Sequence, residues 1–153
     1  MMQTYKTVKE VIDFLETYHR RLKDFHRKQR DTVNSERLQM LLDYIGRHRK
    51  NIQDVLENIS QKDQDIILKT WIQFVPFSET ILSEEQLTDS RQDIDGVVHQ
   101  ALEIEDSLIR FYNKMIHQNG IPEPVKEFFQ HLIKIEAQEK AQVAETAQQI
   151  KDL

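Results

Sequence analysis

Five side chains able to bind a metal stand where a helical chain would bury leucines: His19, His48, Glu105, Glu136 and Glu139. Each lies in or beside the apolar stripe of a long helical segment and near that segment's middle. Glu136 and Glu139 share a segment, and their spacing of three projects both from one helical face. A charged group is costly to bury unless it is paired, hydrogen-bonded or bound to a metal. Imidazole nitrogens and carboxylate oxygens suit iron, manganese or zinc. The same residues admit a second reading, a metal-free network in which protonated His19 and His48 pair with Glu105 and Glu136.

Hydrophobic periodicity supplies the elements that would carry them. Thr7 with Glu10 has the spacing of a capping box. Val8, Val11, Ile12, Leu15, Tyr18, Leu22 and Phe25 then recur at helical intervals, with His19 inside the stripe. Asn34 or Ser35 can cap a second helix, whose stripe of Leu38, Leu41, Ile45, His48, Ile52, Val55 and Ile59 steps by threes and fours. Gly46 sits inside this helix, where glycine costs about 1 kcal/mol against alanine. A close approach by a neighbour or ligand would explain it.

A third helix is expected from about Arg91 to Gln118. Ile94, Val97, Val98, Ala101, Ile104, Leu108, Phe111, Tyr112 and Met115 form its stripe, and Glu105 flanks Ile104. Asn119-Gly120 stops it, and Pro122 and Pro124 suit the start of a fourth helix. There Glu136 and Glu139 occupy stripe positions between Leu132 and Val143. Residues 60–90 break the pattern. Asp63 to Phe74 reads as a short helix ended by Pro76. Trp71, Ile72, Phe74, Val75, Phe77, Ile81 and Leu82 make this connection too apolar for a disordered linker. It should pack on the helices or, alternatively, face a second copy of the chain in a homodimer.

The expected architecture is thus all-α and one domain over 1–153. A helical hairpin spans 7–59, a crossover 60–90, and a second hairpin 91–152. One long crossover in a four-helix bundle is the ferritin-like arrangement. Depth supports a common site. With the first turn near Val33, His19 lies 14 residues before it and His48 lies 15 after it. With the second turn near Ile121, Glu105 lies 16 before it, and Glu136 and Glu139 lie 15 and 18 after it. At a rise of about 1.5 Å per residue, both hairpins put their polar core residues at similar depth, roughly 21–27 Å from the turns.

Composition bounds the rest. The net charge of −5 argues against general nucleic-acid binding. Residues 1–59 carry 12 basic and 9 acidic groups, whereas residues 60–153 carry 9 and 17. The basic excess gathers at Arg20, Arg21, Lys23, Arg27, Lys28 and Arg30, with Arg47, Arg49 and Lys50 on the next helix. A solvated face is the expected reading, a patch for an acidic partner the alternative. The chain has no cysteine, hence no disulfide or thiolate chemistry. No apolar run approaches the roughly 20 residues of a membrane span. The opening MMQTYKTVKEV lacks the apolar core of a secretory signal, so the cytoplasm is the expected compartment. There is no glycine-rich phosphate loop and no serine or cysteine nucleophile motif. His26, His99, His117 and His131 fall off the shared level or outside the stripes and read as surface residues. Glu16, one turn before His19, is a substitute for it. Tyr112 reads as a core aromatic.

ALEIEDSLIRFYNKM with EPVKEFFQHLIKIEAQEKAQV (101–143), and ERLQMLLDYIGRHRKNIQDVL (36–56), resemble the ferritin-like superfamily, nearest its rubrerythrin-type members. Residues 8–29 resemble it more weakly. The resemblance implies a four-helix bundle in which two helices each give a Glu and two give Glu-x-x-His to a pair of metal ions. Glu105 and Glu136 match. Glu139 stands in place of a His, His48 in place of a Glu, Asn51 in place of its partner His, and His19 in place of the first helix's Glu. One or two ions of iron or manganese, and chemistry with oxygen or peroxide, are what the resemblance implies. Lacking electron-relay cysteines, such a protein would need an external electron donor.

Overall fold

A computed structural model describes residues 4–61, 65–74 and 93–153. Among them the chain forms five helices and a two-stranded ribbon. The order is β1 (Thr4–Thr7), α1 (Val8–Thr32), α2 (Glu36–Gln61), α3 (Asp65–Leu68), β2 (Trp71–Phe74), α4 (Ile94–Ile116) and α5 (Glu123–Lys151).

Local chemistry sets the helix ends. The Thr7 hydroxyl accepts from the Glu10 backbone N–H, and the Glu10 carboxylate accepts from the Thr7 N–H, completing the capping box. The Ser35 hydroxyl accepts from Leu38 N–H at the start of α2. Asp93 accepts from Gly96 N–H at the start of α4. Gly120 takes φ 75° in the turn before α5, a left-handed conformation that glycine adopts without a Cβ penalty.

The long helices pack chiefly as two pairs, α1 with α2 and α4 with α5, which meet mainly through α2. Their apolar stripes form two separate clusters. One holds Leu15, Leu22, Ile52, Leu108, Phe111, Tyr112, Phe129 and Leu132 among others. The other holds Leu38, Leu41, Ile45, Val97, Ala101, Val143, Ala147 and Ile150. Between them on α2 stand His48 and Arg49, and on α5 Glu136 and Glu139. The core is interrupted by a buried polar layer rather than running through.

The connection differs from the expected helix over Asp63 to Phe74. Asp63 lies outside the described residues; among the described residues of that stretch only the single turn α3 forms, and Trp71–Phe74 is a strand pairing antiparallel with Thr4–Thr7, Thr7 opposite Trp71. Aromatic and β-branched residues favour the strand, and the N-terminal segment supplies an edge that helical periodicity does not reveal. Gln118 holds the ribbon to the end of α4, accepting from Gln73 N–H at 2.8 Å and donating to the Gln73 carbonyl. Ile72 is buried and Trp71 exposed. The expectations for Val75, Pro76, Phe77, Ile81, Leu82 and Arg91 lie outside the described residues. No described helix is long and apolar enough to cross a membrane.

Candidate metal centre

His48, Glu105 and Glu136 come together in the buried layer, each offering a ligand atom within 4.8 Å of the others. His48 Nε2 lies 3.7 Å from Glu105 Oε1 and 3.7 Å from Glu136 Oε2. Two donors about 2.1 Å from one ion, at angles between octahedral and tetrahedral, stand roughly 3.0–3.4 Å apart. The two His48 spacings are a few tenths of an ångström wider, and Glu105 and Glu136 offer oxygens within 4.8 Å of each other, so side-chain rotations would have to draw the set in around an ion. Helix geometry explains the convergence: α2, α4 and α5 each bring one residue to the level where the two apolar clusters part.

Glu139 meets the other side of the imidazole. Its Oε2 is 3.1 Å from His48 Nδ1, at hydrogen-bonding distance. With the proton on Nδ1 donated to Glu139, the Nε2 lone pair faces Glu105 and Glu136. A carboxylate on the non-ligating nitrogen is the arrangement that fixes tautomer and ring orientation in metal-bound histidines. Of the five residues singled out by sequence, three therefore form the cluster and Glu139 orients one of them. His19 is fully buried, and neither ring nitrogen has a hydrogen-bond partner. It stands outside the three-residue group. Burial first, then the positive charges of Arg49 and His48, hold its pKa well below the usual imidazole range. Burial pulls the pKa of His48 down as well, but the carboxylates of Glu136 and Glu139 beside it outweigh burial, and the net shift is upward.

The residue that sequence reading misplaced is Arg49. It belongs to the basic run Arg47, Arg49, Lys50, yet it is 0% exposed, while Arg47 and Lys50 are exposed. Its Nη1 lies 2.8 Å from Glu105 Oε1, a contact ion pair without an N–H bond aimed at the oxygen. Burial lowers its pKa, and the negative charges of Glu136 and Glu139 oppose that shift. One signal was available: Arg49 follows His48 directly, and the inward arc of a helix that packs on three neighbours is wide enough for adjacent residues.

His26 is a second correction. It is buried, not on the surface, with Nδ1 3.3 Å from the Gln29 amide oxygen. Burial, with the charge of Arg49, lowers its pKa to about 3. It lies seven residues after His19, two turns along the same face. His99, His117 and His131 are exposed, as expected. Glu16 is partly buried, and burial, with Asp13 and Glu57, raises its pKa. Tyr112 is a fully buried aromatic, stacked on Phe129 with ring centroids 6.3 Å apart. Asn51 is exposed and is no part of the cluster. Gly46 has no close neighbour: a Cβ built there meets nothing within 4 Å.

The donor set fits one divalent ion. Four buried atoms of the cluster, His48 Nε2, Glu105 Oε2 and both carboxylate oxygens of Glu136, have no hydrogen-bond partner, and neither do Glu139 Oε1 or the side-chain nitrogens of Arg49 and His19 beside them. Buried polar atoms are otherwise nearly always satisfied. Charge points the same way. Three carboxylates (Glu105, Glu136, Glu139) carry −3 and Arg49 +1, so one divalent ion beside a neutral His48 brings the layer to zero. Two divalent ions would leave it at +2, with the guanidinium packed against them. The set does not fit a pair of ions. Comparison with profiles of known protein families, with curated proteins and with solved structures finds no match to this chain.

Proposed function

We propose that this chain is a ferritin-like four-helix bundle that holds a single iron or manganese ion, with His48, Glu105 and Glu136 as ligands and Glu139 orienting His48. The observation carrying this reading is the convergence of three buried donors from three helices on one point, with four atoms left without partners. Arg49 takes the charge role that a second ion has in a dinuclear relative. When bound, such an ion supplies one-electron chemistry toward oxygen or peroxide. The protein's own part is to keep the ion dry, fix the His48 tautomer through Glu139, and hold the charge near neutral through Arg49. Electrons would come from an external donor.

Elemental analysis of protein purified without chelator, and again after anaerobic Fe(II) or Mn(II) addition, tests this reading. One equivalent in the wild type and none in Glu136→Ala is the expected result. No metal in the wild type at micromolar ion refutes it.

One observation favours a second reading. Arg49 already contacts Glu105, and a protonated His48 touches Glu136 and Glu139, so the layer can stand as a metal-free ion network. The bundle would then serve as an interaction or assembly module. In that case melting temperature is indifferent to metal, and Trp71→Ala or Arg20→Ala abolishes partner binding with the fold intact.

A further inference from the structure

Of the residues in the polar layer, only two reach toward solvent. Glu136, Arg49 and His19 are 0% exposed and Glu105 is 1%, while His48 is 7% and Glu139 5%. Those two lie in a cleft of about 420 Å³ that Tyr44, Arg47, Asn51 and Gln142 also line. Every residue of the cleft belongs to α2 or α5. These helices touch more sparsely than the partners within either hairpin.

We propose that this cleft between α2 and α5 is the route by which a divalent cation enters and leaves the buried layer, with His48 and Glu139 as its inner gate. The inference rests on the metal-binding reading above. His48 is on the way and also a ligand, so an ion arriving from the cleft meets the imidazole and the Glu139 carboxylate before reaching Glu105 and Glu136. The walls do not oppose a cation. Arg47 and Lys50 are offset by Asp54 and Glu139, so the lysine, arginine and carboxylate charges of the lining sum to zero. The side-chain amides of Asn51 and Gln142 offer oxygens to a partly hydrated ion. Tyr44 donates a hydrogen bond to the Gln142 side-chain oxygen at 3.4 Å, spanning from α2 to α5 beside the opening. That contact is long, and opening it costs little.

A route, unlike a ligand, acts on both directions equally. Asn51 and Gln142 are exposed and are no part of the three-residue cluster, so a bulky side chain at either narrows the cleft while leaving the donors in place. The probe is Co(II) alone, followed by its visible absorption on mixing with the full chain, and its release into excess EDTA. Asn51→Trp and Gln142→Trp are each compared with wild type and with Gln130→Trp, an exposed site on α5 away from the cleft. The expected result is uptake and release both slowed by at least tenfold in the two cleft variants, by the same factor, so that Kd and the one-ion stoichiometry are unchanged. Gln130→Trp should load at the wild-type rate. Cleft variants that load as fast as wild type overturn the route while leaving the metal site standing. A changed Kd also overturns it, since the substitution then acts on the site itself. A wild-type chain that takes up no Co(II) removes the route and the metal reading together.

Discussion

Arg49→Met is the most informative single change in this protein. Among the described residues the guanidinium is the only permanent cation in the layer that holds Glu105, Glu136 and Glu139, and it lies 2.8 Å from Glu105 Oε1 with no exposure to solvent. Methionine keeps the length and much of the apolar volume of the stem but removes the charge. Without metal, three carboxylates then face one another with only His48 to offset them. Removing one partner of a buried ion pair typically costs about 3–5 kcal/mol. For a domain of this size each kcal/mol lowers Tm by roughly 2–4 °C, so the metal-free variant should melt about 6–20 °C below wild type. A divalent ion replaces the missing charge. The variant should therefore recover most of that loss on Mn(II) addition, and gain more stability from the ion than the wild type does. Thermal unfolding by circular dichroism, with EDTA or with excess Mn(II), reads both quantities. A metal-free Arg49→Met as stable as wild type would refute the charge argument. A loss that Mn(II) fails to reverse would refute the site.

Acid should weaken the fold through His26. Its folded pKa of about 3 lies below the ordinary 6.5, so between those values the unfolded chain binds more protons. Stability is therefore full above pH 6.5, falls as pH drops below it, and levels off below 3. At pH 4.5 the His26 contribution is roughly 3 kcal/mol, by about 1.4 kcal/mol per pH unit; His26→Leu should flatten this part of the pH–stability curve measured by urea unfolding. Gly46→Ala should raise stability by about 1 kcal/mol, because a mid-helix glycine is replaced where the new methyl meets nothing; a loss in chemical denaturation would show that something requires the glycine. Glu139→Gln should keep one-ion stoichiometry and weaken affinity roughly 10- to 100-fold, whereas Glu136→Ala should abolish binding; equal losses in calorimetric titration would make Glu139 a ligand instead.

The four long helices and the depth of their polar residues were legible in the sequence. Apolar spacing of three and four specifies one buried stripe per helix, caps mark its ends, and a fixed rise per residue makes distance from a turn a count along the chain. That is why spacing alone puts His48, Glu105 and Glu136 at one level. Side-chain pairing was beyond it. The ribbon of Thr4–Thr7 with Trp71–Phe74 joins segments more than sixty residues apart, and nothing local to either segment names its partner. The inward turn of Arg49 and the burial of His26 depend on how wide an arc of each helix its neighbours cover, which only packing decides. The role of Glu139 likewise rests on which imidazole nitrogen it meets, a matter of a few ångströms fixed by the approach of α5 to α2. Spacing placed the donors at one depth; tertiary packing put a guanidinium among them and so set how much cationic charge the layer can still accept.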